Sequence, residues 1–264
     1  MLKIDNIYKT FNIGTINEKH ALNGLSLHLQ PGDFVTVIGG NGAGKSTMLN
    51  AISGVWPIDS GSIVINGNDV TALPEYKRAI HLGRVFQDPM LGSAANMQIQ
   101  ENLALALRRG KKRTLRWGIT AQEREQYHDL LKTLDLGLED RLTSKVGLLS
   151  GGQRQALTLL MATLTKPDLL LLDEHTAALD PKTAAKVLEI SDRIIAENKL
   201  TALMVTHNMH DAITHGNRLI MLKDGRIILD IAGEEKKHLT VEDLLAKFAI
   251  AAGEEMANDR MLLG

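Results

Sequence analysis

Cysteine is absent from the 264 residues, which excludes disulfides and thiolate-ligated metals. Aromatic residues make up only 3%, too few to build the stacking platforms that grip bases or sugars. No stretch of about 18 apolar residues occurs, so no segment is expected to cross a bilayer as a helix. Neither charge sign dominates: 30 Lys and Arg against 31 Asp and Glu leave a net charge of −1. That balance gives no bulk electrostatic reason to bind nucleic acid or an anionic membrane. The opening residues Met1-Leu2-Lys3-Ile4-Asp5-Asn6 lack the basic-then-apolar pattern of a signal peptide. The cytoplasm is the expected compartment, and any membrane would be reached through a partner. What is present is ordinary for a globular chain: 44% hydrophobic and 23% charged residues, enough for one sizeable domain or a core with an inserted subdomain.

Short apolar runs alternate with longer helical patterns, the rhythm of an α/β protein with a largely buried sheet. Phe34 to Ile38 reads as a strand running into glycines, and Ile63-Val64-Ile65 as a strand before an Asn66-Gly67 turn. Leu169 to Leu172 ends in two acids, and Ala202 to Val205 ends at Thr206-His207. Arg218 to Lys223 and Arg226 to Leu229 read as a hairpin turned by Asp224-Gly225. Gln98 to Arg109 and Ala121 to Leu134 have helical periodicity with no strand between them. The expected organisation is one unit, with an α/β core at about 1–89 and 163–232, helices inserted at about 90–162, and a short helical tail over 233–264.

Gly39-Gly40-Asn41-Gly42-Ala43-Gly44-Lys45-Ser46 follows an apolar strand, and a helical pattern continues through Thr47. This is the context that a phosphate-binding loop requires. The glycines let backbone N–H groups turn inward, and the helix presents its positive end to the same anion. Lys45 would reach the β- and γ-phosphates, and the Ser46 hydroxyl could ligate Mg²⁺. Asp173, at the end of the leucine strand, would lie near that cation if its strand ran parallel beside the phosphate-loop strand. Glu174 could orient or deprotonate the attacking water. Ser150-Gly151-Gly152-Gln153 opens another helical run and makes a second anion nest. One nucleotide does not need two nests from one chain. A two-fold dimer answers this, each copy's nest closing over the γ-phosphate held by the other's Lys45.

Leu149-Ser150-Gly151-Gly152-Gln153, placed between phosphate loop and acidic strand, resembles the signature of ABC ATPases. The resemblance extends over residues 2 to 230 and implies a P-loop NTPase core with an antiparallel β subdomain and an inserted helical subdomain. It implies ATP and Mg²⁺ as ligands and hydrolysis coupled to transport. Phe86-Gln87-Asp88-Pro89 resembles the Q-loop, which makes Gln87 a candidate for sensing Mg²⁺ and the attacking water. Ala178-Leu179-Asp180 resembles the D-loop, and His207 resembles the switch histidine that holds Glu174 and water. Phe11 stands where the family stacks an aromatic on adenine. The expected partners are a second copy, an integral membrane permease and an extracellular substrate-binding protein, and the expected location is the cytoplasmic face of the membrane. The stretch Asp173 to Lys182 resembles subunits paired with branched-chain-amino-acid-type permeases, which suggests import of an amino-acid-like solute.

Two features stand apart. His175 replaces the proline usual in the family after the two acids, and reads as a tolerated turn residue able to titrate near neutrality. Arg108 to Arg116 carries six cations without an acid. That run is the one feature favouring the alternative, a soluble ABC ATPase acting on nucleic acid or ribosomes. Such proteins commonly carry a second ATPase domain, a coiled coil or a zinc module, none of which is seen in this sequence, and no nucleic acid is expected.

Overall fold

Along the chain, β1 (Leu2–Phe11), β2 (Lys19–Leu29) and β3 (Phe34–Ile38) lead into α1 (Lys45–Ser53). Then come β4 (Ser60–Ile65), β5 (Asn68–Asp69), α2 (Glu75–Arg78) and β6 (Leu82–Val85). Next come α3 (Ile99–Leu107), α4 (Ala121–Lys132) and α5 (Gly151–Thr163), and then β7 (Leu169–Asp173). The chain continues through α6 (Pro181–Asn198), β8 (Thr201–Val205), α7 (Met209–Thr214), β9 (Arg218–Lys223) and β10 (Arg226–Ala232) to α8 (Gly233–Lys237) and α9 (Val241–Ala252). This computed structural model describes residues 1–111 and 118–252. Lys112 to Arg116 of the basic run, and the tail beyond residue 252, lie outside the described residues.

The described strands form two sheets. One is antiparallel, in the order β2-β1-β4-β5; the other runs β10-β9-β3-β8-β7-β6. In the second, β9, β3, β8, β7 and β6 are mutually parallel and β10 closes one edge antiparallel to β9. Both expected turns form as their residues require. Asn66 (φ 49°) with Gly67 (φ 81°), and Asp224 (φ 49°) with Gly225 (φ 74°), take the left-handed conformation of tight hairpins. The Arg218 strand does more than make a hairpin, since it also pairs parallel with β3 from Val35↔Arg218 to Ile38↔Met221.

That pairing corrects one expectation. A strand has two edges, and β9 and β8 occupy both edges of β3, so β7 lies one strand away from the phosphate-loop strand. It is β8, ending at Thr206-His207, that runs beside β3.

The unbroken leucines of β7 are explained by burial on both faces. Leu169 and Leu171 point into the core shared with the antiparallel sheet and α1. Leu170 and Leu172 point to the opposite core, which also holds Leu103 of α3, Tyr127 of α4, Leu157 of α5 and Ile190 of α6. The helices between β6 and β7 therefore share one apolar cluster with a face of the parallel sheet. Their starts follow sequence rules: Gln98 with Glu101, Thr120 with Glu123, and Ser150 with Gln153 form capping boxes.

A buried arginine anchors the phosphate-loop helix from behind. Arg78 is 2% exposed, and its guanidinium donates to Ala51 O and Ile52 O in the last turn of α1 and to Leu73 O and Thr71 O nearby. Carbonyls at a helix C-terminus lack intrahelical partners and carry partial negative charge, so a cation there satisfies both.

Candidate nucleotide site

β3 delivers the loop from Gly39 to Gly44 into the N-terminus of α1. The backbone there is open only to glycine at two points. A Cβ on Gly39 (φ 151°) would lie 2.3 Å from Leu222 O, and one on Gly44 (φ 105°) 2.6 Å from Ala21 O. No acidic residue occupies the first turn of α1 and no side chain caps it, so its N–H groups are left for an anion. Lys45, 7% exposed, folds back to donate from Nζ to Gly39 O at 2.5 Å and Gly40 O at 3.2 Å. Burial lowers its pKa, and the carboxylates of Glu174 and Asp173 oppose that shift. The ammonium thus spans the mouth of a ring of backbone groups, with two acids close enough to feel its charge. Ser46 is exposed at the start of the helix, Thr47 and Ala43 are buried, and Asn41 and Gly42 are exposed on the rim.

Both acids come from the end of β7, beyond the intervening β8. Glu174 N donates to Val205 O at 3.0 Å, which ties the end of β7 to β8. Glu174 sits at φ 47°, a left-handed geometry uncommon for a residue with a Cβ. His207 Nδ1 lies 3.0 Å from Glu174 Oε1. Asp173 accepts from Arg84 Nη2 at 3.1 Å. The structure therefore groups Lys45, Asp173, Glu174 and His207 around the loop even though β8 separates β3 from β7.

Gln87 is exposed just beyond β6, while the carbonyl of its neighbour Phe86 accepts from Gln155 Nε2 of α5 at 3.0 Å. Phe11 ends β1, half-buried, with Trp56 edge-on at 4.9 Å between ring centroids and Lys9 Nζ 5.6 Å from its own centroid. Its position at a sheet margin is not that of a core phenylalanine.

Ser150, Gly152 and Gln153 are elsewhere. They line a cavity of about 410 Å³ with Leu136, Lys182, Thr183, Lys186 and Val187, and none of residues 39–47 borders it. A Cβ on Gly152 would lie 2.1 Å from Thr183 Cγ2, so the first turn of α5 is pressed against the start of α6 just after Leu179-Asp180. Gly151 itself is exposed. The two glycine-rich segments expected to bind anions thus lie in two separate places on one chain.

Three features become apparent only in the fold. Lys19, paired with Phe11 across β1 and β2, brings its Nζ within 2.9 Å of where a Cβ on Gly42 would be. Arg84, in a four-residue strand, is the immediate partner of Asp173. His175 is not an open turn residue: it is 2% exposed, with Nε2 3.0 Å from Ser191 Oγ. Ser191 spends its own proton on Val187 O at 2.8 Å, so the imidazole donates. Burial, helped by His215 and opposed by Asp192, pushes the His175 pKa down to about 4, which overturns the expectation of titration near neutrality. A signal for this burial was available only in the apolar spacing of α6, which turns Ser191 inward.

A folded pKa below the unfolded one means that the unfolded chain binds the proton first. The stabilisation from neutral His175 is then present above about pH 6.5 and is lost as pH falls toward about 4, by about 3 kcal/mol over that window. Denaturant unfolding across this range should show a steeper acid loss for the native chain than for His175→Asn. Equal slopes would refute the buried neutral imidazole.

The donor set fits a hard cation and a triphosphate. Ser46 Oγ, a carboxylate oxygen of Asp173 and the Gln87 amide oxygen are the oxygen ligands that Mg²⁺ takes, and its remaining positions go to phosphates and water. Of the basic run, Arg108 pairs with Glu123 at 2.8 Å and Arg109 donates to Thr165 Oγ1 at 2.8 Å, so both are engaged within the fold. Among the described residues no helix is long and apolar enough to cross a membrane.

A strand, glycine loop and lysine facing a carboxylate pair define a nucleoside-triphosphate hydrolase, and comparison with known proteins makes it particular. The ABC transporter family matches residues 22–177. The tyrosine transport ATP-binding protein of Clostridioides difficile is 47% identical over 251 residues, covering 95% of this chain and all of that protein. The thiamine import ATP-binding protein ThiQ of Photorhabdus laumondii is 32% identical over 230 residues, 87% of this chain and 90% of that one. A dimeric ATP-binding cassette solved in a post-hydrolysis state with ADP and Pi superposes with a TM-score of 0.74 at 31% identity, over 88% of this chain and 98% of that one. The chain belongs to the ABC transporter family. It has the ABC ATPase fold and is an ATPase coupled to transport.

Proposed function

We propose that this chain powers import of an amino-acid-like solute, working as a pair of copies that enclose two Mg·ATP and drive a separate permease of the branched-chain-amino-acid type. The observation that carries the reading is the separation of the two nests: the Ser150-Gly151-Gly152 cavity borders none of the phosphate-loop residues. A two-fold arrangement brings one copy's nest to the other's Lys45 and makes each site depend on both chains. The dimeric cassette with ADP and Pi supports this arrangement. Import, and an amino acid as cargo, are supported by the names of the relatives, one for tyrosine transport and one for thiamine import.

In this reading ATP draws Lys45 off the Gly39 and Gly40 carbonyls onto the β- and γ-phosphates, while Phe11 stacks on adenine. Ser46, Gln87 and Asp173 would hold Mg²⁺, which would supply positive charge against that developing on the phosphates. Glu174, steadied by His207, takes the proton of a water whose oxygen bonds to the γ-phosphorus as the bond to the β-bridging oxygen breaks, leaving ADP and phosphate. Closure excludes water and opening attends loss of the γ-phosphate, whose charge both nests need. The helices between β6 and β7, with Gln87 at their base, would carry this motion to the permease at the cytoplasmic face. An extracellular binding protein would deliver the solute on the other side.

The test is reconstitution with a permease of that type and a matching binding protein. ATP-dependent uptake of labelled tyrosine or a branched-chain amino acid into vesicles is expected, and ATP turnover without uptake of any amino acid would refute the cargo. A narrower check concerns Phe11. Stacking on a base contributes about 1–3 kcal/mol, so Phe11→Ala should weaken ATP binding by roughly 5- to 150-fold while leaving tripolyphosphate binding unchanged. Equal loss for both ligands would remove Phe11 from the adenine site.

A further inference from the structure

Arg84 is in direct contact with an acid of the site, and nothing about the phosphate loop requires it. From β6 its guanidinium donates Nη2 to Asp173 Oδ2 at 3.1 Å and Nη1 to Ser53 Oγ at 3.1 Å, at the end of the phosphate-loop helix. Its Cζ lies over the Phe86 ring, 4.6 Å from the centroid. The side chains of Arg84 and Asp173 are 13% and 16% exposed, so little water competes for the pair. The remaining nitrogen, Nε, is buried without a hydrogen-bond partner. Leaving such a nitrogen unpaired is costly. Arg84, Ser53 and Phe86 also line a cavity of about 300 Å³ between β6, α2, α3 and α5, so the far side of the guanidinium faces the helices that come after Gln87.

A planar fork can fix two partners and stack at once, which a lysine cannot do. With Oδ2 held by Arg84, the carboxylate of Asp173 has one orientation and one free oxygen. Phe86 is also fixed, through the Gln155 bond to its carbonyl, and Gln87 is the next residue. The same guanidinium therefore touches the carrier of one cation ligand and the neighbour of another.

We propose that Arg84 is a positioning residue for the cation site: it sets the rotamer of Asp173 and, through Phe86, ties that carboxylate to the segment bearing Gln87. The inference rests on the nucleotide reading above. Removing an outer partner that orients a metal ligand costs roughly 10–100-fold in metal affinity. The orientation lost in Arg84→Met should outweigh the relief of one positive charge, so binding of the metal weakens.

The experiment is calorimetric titration of ATP into the full chain, first in EDTA and then across a series of Mg²⁺ concentrations. Arg84→Met should raise the Mg²⁺ concentration that half-restores tight binding by about tenfold or more, with metal-free ATP affinity unchanged. Arg84→Lys, which keeps charge but cannot serve both oxygens, should fall between the two, and it carries the same measurement if Arg84→Met fails to fold. Phe86→Leu should move the midpoint in the same direction. An unchanged or lowered Mg²⁺ midpoint in both Arg84 variants overturns the proposal, as does equal weakening with and without metal. A normal midpoint in Phe86→Leu overturns the link to Gln87. If the native chain shows no Mg²⁺-dependent ATP binding, the nucleotide reading itself falls.

Discussion

Glu174→Gln should bind ATP at least as tightly as the native chain and turn it over at least about 100-fold more slowly, the usual contribution of a positioned base being 10²–10⁴. With ATP and Mg²⁺ present it should also elute as a dimer. The amide preserves size and can still meet His207, whose Nδ1 lies 3.0 Å from the native Oε1, but it cannot take a proton from water. Hydrolysis is what removes the γ-phosphate, so a pair that closes on ATP and cannot cleave it accumulates. The left-handed backbone at Glu174, φ 47°, adds weight to the expectation. Strained conformations persist where surrounding structure holds them, often at functional sites, and here the Glu174 N–H bond to Val205 O fixes the turn. Steady-state phosphate release and size-exclusion with light scattering read the two effects. Normal turnover would remove Glu174 from the reaction, and slow turnover without a dimer would separate the chemistry from the closure.

Much of this site is legible in the sequence, for reasons that differ from residue to residue. The phosphate loop is local: eight consecutive residues, glycine where the backbone is left-handed or crowded, and lysine at the first helical position. The two acids are legible because a run of leucines is a strand buried on both faces, and the residues after it must emerge at the sheet end. The order of strands is not. Nothing in Phe34–Ile38 says which strand will take each of its edges, and β8, not β7, won one of them. β1, β2 and β6 are hard to see because their patterns are interrupted, by Asn6 at φ 46° in β1 and by Arg84 in a strand of four residues. Arg84 and His175 share a further reason for escaping notice. Each acts through a partner more than ten positions away, Asp173 and Ser191, and sequence gives no sign of a pair until the fold closes it. The departure from the family's proline at 175 is visible. Its burial is not, since a polar residue at a turn is ordinarily exposed.

The proposed two-chain site predicts a second large effect, measurable by mixing. Lys45→Ala removes the loop's ammonium, and Gly151→Asp sets a carboxylate in the exposed first residue of the signature nest, where it repels the γ-phosphate and occupies the N–H groups meant for it. Each variant alone should lose nearly all turnover, because every site in a homodimer of either kind carries a defect. In a heterodimer of one copy of each, both defects fall in the same site: the loop lacking Lys45 faces the blocked nest. The other site has a native Lys45 and a native Ser150-Gly151-Gly152. Equimolar mixing makes about half the dimers mixed, each with one of two sites intact, so about a quarter of native turnover should return if the two sites act independently. Turnover below that figure but above either variant alone measures coupling between sites. No recovery of turnover, together with mixed dimers that bind no ATP at an intact site, would mean that each chain's nest serves its own loop. That outcome is hard to reconcile with a cavity at Ser150 that borders none of residues 39–47. Gly151 suits the experiment because its neighbour Gly152 does not: a Cβ at Gly152 meets Thr183 Cγ2 at 2.1 Å, whereas at Gly151 the nearest atom is Leu179 Cδ2 at 3.2 Å, on a side chain that can move. A substitution at Gly152 would confound a damaged fold with a damaged interface, and one at Gly151 reads the interface.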